Sequence, residues 1–168
     1  MSELPKRKNI RLKDYDYSQN GYYFVTICTH NRQNLSETSI VGNDLRVVPS
    51  DVPQNQIIEK WLTELQNKFQ IEIDKYIIMP DHIHFILIIP TERQSLPHGY
   101  IGRSLPDMIK WFKTMTTNEY IKSVKDGFIE PFDKKIWQKS YYEHIIRDEN
   151  DYVLKSEYIL NNPFKLIP

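Results

Sequence analysis

The run His82 to Ile89 is the segment that most restricts how this chain folds. Side chains of a strand alternate between faces. Here Ile83, Phe85, Leu87 and Ile89 fall on one face, and His82, His84, Ile86 and Ile88 on the other. A strand apolar on both faces belongs at the centre of a sheet covered from both sides. The breaker Met79-Pro80-Asp81 precedes it, and a second strand pattern, Ile71 to Met79, precedes the breaker, so the two form an antiparallel hairpin. His82 and His84 share a face and stand close enough to chelate one ion. An isolated His-x-His is more often an accident of surface or core than a ligand pair, so the pair needs support from the rest of the chain.

A first strand is expected over Tyr22 to Thr29, after the turn Ser18-Gln19-Asn20-Gly21. Residues 31 to 49 read as a loop with a short hairpin around Gly42-Asn43-Asp44. A helix starts after Asp51 with Pro53 in its first turn, and Ile57, Ile58, Trp61, Leu62, Leu65 and Phe69 recur at helical spacing. Ser104 caps a second helix, with Leu105, Met108, Ile109, Phe112 and Met115 as its stripe and Asp126-Gly127 as its end. Ile136 to Ile146 suits a fourth strand. Asp148 caps a last helix that Pro163 stops. The order βαββαβ plus a C-terminal helix predicts an α+β fold, an antiparallel sheet with two helices on one face. The spare helix is then the element left to cover the histidine face.

The 168 residues fit a single domain, 1–168, led by a basic arm over residues 1–14. No apolar run approaches a transmembrane span, and no apolar stretch follows the N-terminal charges as in a secretory signal. Cys28, the lone cysteine, excludes an internal disulfide and fits a reducing, cytoplasmic setting. The formal net charge is zero, which argues against a nonspecific nucleic-acid coat, but the charges are unevenly spread. Lys6, Arg7, Lys8, Arg11 and Lys13 crowd the N-terminus, and Arg103, Lys110, Lys113, Lys122 and Lys125 form a second stretch. Such stretches can meet phosphates, although a solvated helix face explains them equally well.

On the last helix, at about 100° per residue, Tyr152, Val153, Ser156, Ile159 and Leu160 fall in one arc expected to face the sheet. Tyr158 lies nearly opposite that arc, poorly placed for the core. Asn162 follows it by four residues on the same face, with Asn161 as the alternative. His82, His84 and an amide oxygen would suit Mg²⁺ or Mn²⁺, with waters or phosphate oxygens completing the shell. A phenol, with a pKa of about 10, makes a phosphoester that a DNA 3′-hydroxyl can reverse, so a tyrosine nucleophile needs no nucleotide triphosphate. No Gly-x-x-x-x-Gly-Lys loop occurs.

Met79-Pro80-Asp81-His82-Ile83-His84 resembles the HUH motif of single-tyrosine transposases. Trp137-Gln138, Tyr141-Tyr142-Glu143-His144, Arg147-Asp148, Tyr158-Ile159 and Asn161-Asn162-Pro163 resemble the C-terminal signature of REP-associated tyrosine transposases, relatives of the insertion-sequence-200-like enzymes. Arg11-Leu12 and the strand Tyr22-Tyr23-Phe24-Val25-Thr26 extend the likeness over nearly the whole chain. The resemblance implies a ferredoxin-like fold, with His82 and His84 as metal ligands, Asn162 as the polar third ligand and Tyr158 as nucleophile. It also implies cleavage of single-stranded DNA beside a hairpin of REP-like palindromic type, through a 5′-phosphotyrosine link, by a monomer or homodimer associated with the nucleoid. Lys6, Arg7, Lys8, Arg11, Lys110 and Lys113 are candidates for holding the DNA backbone, and Tyr22, Trp111 or Tyr141 for stacking unpaired bases. His144 is a candidate for supporting the site from behind its ligands, although a plain strand histidine is the commoner case. Two other readings stand beside this one. One is a metal-dependent hydrolase without a covalent intermediate, and the other is a non-catalytic hairpin-binding module.

Overall fold

The structure is a computed structural model that describes residue 12 and residues 14–35, 40–42, 53–91 and 104–161. Its elements are β1 (Gly21–Cys28), a short 3₁₀ turn (His30–Arg32), β2 (Ile40–Gly42), α1 (Pro53–Phe69), β3 (Glu72–Met79), β4 (His82–Ile89), α2 (Leu105–Lys125), β5 (Tyr142–Ile146) and α3 (Glu149–Asn161). The strands form one antiparallel sheet in the order β2-β3-β4-β1-β5. Without the edge strand β2 this is the expected ferredoxin-like βαββαβ arrangement, with α3 added. None of the helices among the described residues is long and apolar enough to cross a membrane.

As its apolar composition requires, β4 lies inside the sheet, between β3 and β1. Ile83, Phe85, Leu87 and Ile89 point into the larger core, which Val25, Ile27, Leu62, Leu65, Met108 and Phe112 share. The opposite face carries a smaller cluster of Phe24, Ile77, Met79, Ile86, Ile146 and Ile159. Helices α1 and α2 therefore cover one face and α3 the other, as the spare-helix argument expected.

Local chemistry accounts for the element ends. Pro53 is the first residue of α1, where its missing N–H costs no hydrogen bond. Gly127 (φ 77°) closes α2: its N–H donates to Val124 O and that of Phe128 to Ser123 O, the paired bonds of a Schellman end. Asp148 caps α3 by accepting the Asp151 N–H at 2.9 Å. Ser104 precedes α2 as expected, but its hydroxyl donates to the Asp107 carboxylate and caps no backbone N–H.

The fourth strand is shorter than Ile136 to Ile146. The segment before Tyr142 makes one isolated bridge, Thr29 to Trp137, and is then held towards α2. There the Trp137 Nε1–H donates to Thr116 Oγ1 (2.8 Å), and Lys113 Nζ donates to the carbonyls of Gln138 and Ser140 (each 3.0 Å). Near the expected Gly42 hairpin, Ile40–Gly42 instead adds an edge strand to β3; Asn43 and Asp44 lie outside the described residues.

Candidate active site

Pairing of β1 with β4 sets Cys28 opposite His82, Thr26 opposite His84 and Phe24 opposite Ile86, all on the face that α3 covers. The two imidazoles meet edge to face with ring centres 4.6 Å apart. Each has its Nδ1 occupied. The Asp81 carboxylate can only accept, so His82 Nδ1–H donates to Asp81 Oδ1 at 2.5 Å, and Arg32 Nη1 donates to the other carboxylate oxygen at 3.2 Å. His84 Nδ1 lies 2.7 Å from Thr26 Oγ1. With the Nδ1 proton given to that hydroxyl, Nε2 keeps its lone pair, and among the described residues this buried atom has no hydrogen-bond partner.

Burial governs the electrostatics. His84 is only 4% exposed. Its burial, reinforced by the neighbouring His82 ring and the Arg32 guanidinium and opposed by Asp81, pulls its pKa from 6.5 to about 3. It is therefore neutral wherever the protein works, as a metal ligand must be. Burial alone would raise the Asp81 carboxyl, but the His82 hydrogen bond and the pull of the His82 ring and the Arg32 guanidinium outweigh it and hold the group below 3.8. A buried nitrogen with its lone pair free, beside a second imidazole oriented by a carboxylate, fits a divalent cation. Among the described residues no third His, Cys, Asp or Glu joins the pair, so a further protein ligand would be a neutral oxygen or lie outside them.

Helix α3 brings the tyrosine. Ile159 and Ser156 face the sheet, and Tyr152 anchors the helix to a bulge in β3. The Tyr152 hydroxyl donates to Asp74 Oδ2 (2.6 Å) and accepts from Lys75 Nζ (2.7 Å). A second tie joins His144 Nε2 to Asp151 (2.7 Å), so His144 serves the helix and not the imidazoles. The buried stripe is thus turned from the expected arc. Val153 is 44% exposed, and the flank bearing Lys155 and Tyr158 overhangs the histidines. Tyr158 is outside the core, as expected, at 41% exposed, with its ring 5.2 Å from that of His84 and 5.8 Å from that of Phe24. These side chains border a cleft of about 570 Å³ that Thr26, Cys28, Arg32 and Tyr142 also line. A cleft of similar size, about 590 Å³, opens at the far end of the same face beside Tyr22, Asp74 and Tyr152, away from the imidazoles.

Of the residues expected at a site, His82, His84 and Tyr158 come together within one chain. Lys110, exposed, and Lys113, tied to the 138–140 carbonyls, sit on α2 across the sheet. Trp111 packs against Trp61 and Phe69 in that helical layer. Tyr141 lies beneath the Lys113 ammonium. Tyr22 is exposed and meets Tyr152 edge to face. Asn162, Lys6, Arg7, Lys8 and Arg11 lie outside the described residues. Sequence reasoning gave no role to Thr26, Phe24, Arg32, Asp81 or Lys155. Strand alternation opposite the histidines could have found Thr26 and Phe24, and i, i+3 spacing from Tyr158 could have found Lys155.

The family model described as "Transposase IS200 like" matches residues 17–162. An "Uncharacterized protein" of Haemophilus influenzae is 34% identical over 169 residues, covering 94% of this chain and 88% of that one. The REP-associated tyrosine transposase of Escherichia coli K12 is 23% identical over 150 residues, covering 89% of this chain and 70% of its own length. Among solved structures, that of a REP-associated tyrosine transposase bound to a REP hairpin superposes with a TM-score of 0.57 at 22% identity, covering 92% of this chain and 73% of the other. At that identity the likeness is one of fold.

Proposed function

The chain belongs to the family of IS200-like transposases, and from that premise we propose that it cleaves and rejoins single-stranded DNA beside a hairpin, with Tyr158 as nucleophile. The observation that carries this reading is the placement of the Tyr158 ring 5.2 Å from His84, whose buried Nε2 has no hydrogen-bond partner among the described residues. His82 and His84, with Asn162 as the third donor, would hold Mg²⁺ or Mn²⁺. Such an ion polarises phosphoryl oxygens. Asp81 and Thr26 orient the two rings, and burial keeps His84 unprotonated.

Tyr158 Oη attacks the scissile phosphorus in line, and a 3′-hydroxyl departs. The resulting 5′-phosphotyrosine link conserves the phosphodiester's bond energy, and a second 3′-hydroxyl reverses the step. Tyr158 lies beside the imidazoles of its own chain, which supports attack within one protomer, whether the protein is a monomer or a homodimer. The hairpin-bound neighbour supports a palindromic REP-like hairpin as the partner, and a protein acting on such DNA would work at the nucleoid. For the DNA backbone, the N-terminal Lys6, Arg7, Lys8 and Arg11 and the exposed Lys110 are better candidates than Lys113, whose ammonium already serves two carbonyls.

The test is incubation with Mn²⁺ and a library of 3′-labelled single-stranded hairpins, followed by denaturing electrophoresis. Label migrating with the protein, abolished by chelation, is the expected result. Cleaved DNA without attached protein would mean a hydrolase, and binding without cleavage would mean a recognition module.

A further inference from the structure

The cleft holds a cation that the proposed reaction has not yet used. Lys155 stands one turn before Tyr158 on the overhanging flank of α3, half-buried, with its Nζ 5.3 Å from the centre of the Phe24 ring. That same ring stacks on His84 at 5.4 Å and meets Tyr158 at 5.8 Å, so imidazole, phenol and ammonium surround one aromatic side chain. Among the described residues Lys155 has no hydrogen-bond acceptor. The carboxylate that feels its charge, Asp151, is occupied by His144 Nε2 and the Arg147 N–H. Arg32, the other permanent cation of the cleft, is bound to Asp81. An ammonium resting on a ring face leaves its three N–H donors for an incoming anion.

Building on the tyrosine reaction above, we propose that Lys155 is a further catalytic residue, donating to a non-bridging oxygen of the phosphate that Tyr158 attacks. In that step the Oη–P bond forms and the P–O3′ bond breaks. The phenolic proton passes to water, and water protonates the departing 3′ oxygen. Lys155 keeps its protons throughout and neutralises charge that shifts onto the phosphoryl oxygens. The cation–π contact with Phe24 sets the ammonium in place before DNA arrives and gives way once phosphate replaces it.

The test compares Lys155→Gln and Lys155→Arg with the unaltered protein, using a labelled hairpin cleaved in Mn²⁺. Single-turnover rates of covalent attachment at saturating DNA are measured alongside hairpin affinity without metal. Lys155→Gln is expected to slow attachment about 100-fold, with affinity within threefold and an unchanged melting temperature, and Lys155→Arg to recover most of the loss. Attachment by Lys155→Gln at the normal rate would overturn the assignment. So would a loss confined to affinity, or one that Lys155→Arg leaves uncorrected. If the unaltered protein itself forms no covalent species with any hairpin, the tyrosine reaction falls, an outcome distinct from normal attachment that ignores Lys155.

Discussion

The rings of His84 and Tyr158 face each other nearly at right angles, their centres 5.2 Å apart, although one comes from an interior strand and the other from the last helix. The phenol is partly open to solvent while the imidazole is buried. Tyr158→Phe should therefore separate chemistry from folding. Covalent attachment is expected to disappear, with hairpin affinity within threefold and a stability change of at most about 1 kcal/mol by urea unfolding. A Phe variant that still links to DNA would show that another residue is the nucleophile.

Thr26 tests the orientation of His84. Thr26→Val keeps the shape of the side chain but removes the oxygen 2.7 Å from Nδ1. Loss of such a partner typically weakens a metal site about 10- to 100-fold. Calorimetric titration with Mn²⁺ should register that drop, and His84→Ala should abolish binding. Unchanged affinity in Thr26→Val would mean that strand geometry alone fixes the ring.

The anchor at Tyr152 governs how firmly α3 holds its flank over the cleft. Tyr152→Phe removes the bond to Asp74 and the acceptor for Lys75. Expected consequences are a loss of about 1–2 kcal/mol in stability, faster amide exchange along α3 and slower attachment to DNA. If exchange along α3 stays as slow as before, the packing of Ile159 suffices to seat the helix.

Acid should destabilise the metal-free protein earlier than its carboxylates require. Folded His84 titrates at about 3 and the unfolded residue near 6.5, so within that interval the unfolded chain binds the extra proton. The stability contribution of the neutral imidazole is complete above about 6.5 and is lost as pH falls towards 3. Melting temperatures in chelator from pH 7.5 to 5 should fall more steeply for the unaltered protein than for His84→Gln. Parallel profiles would refute the link.

Much of this architecture was legible because β4 allows few alternatives. A strand apolar on both faces, with two histidines at one end, already implied an interior position, a helical layer on one side and a cover on the other. What escaped was set by contacts that single-strand patterns do not encode. Ile136 to Tyr141 reads as strand, yet Trp137 and the carbonyls of Gln138 and Ser140 find better partners on α2. The rotation of α3 depends on Tyr152 reaching a bulge in β3, and neither the bulge nor its Asp74–Lys75 pair shows in helical periodicity. His82, His84 and Tyr158 were visible as residue types at telling positions. Thr26, Phe24 and Lys155 are ordinary strand and helix residues by type, and strand register and helix rotation are what bring them to the cleft.

The sheet also acts as a partition. Among the described residues most of the apolar mass lies beneath it, with α1 and α2, whereas the histidine side holds a small cluster under α3. Random substitutions should therefore sort into two populations, solubility failures mapping below the partition and well-folded but inert proteins above it. A lineage could revise the cleft on the upper surface generation after generation while the foundation stayed untouched.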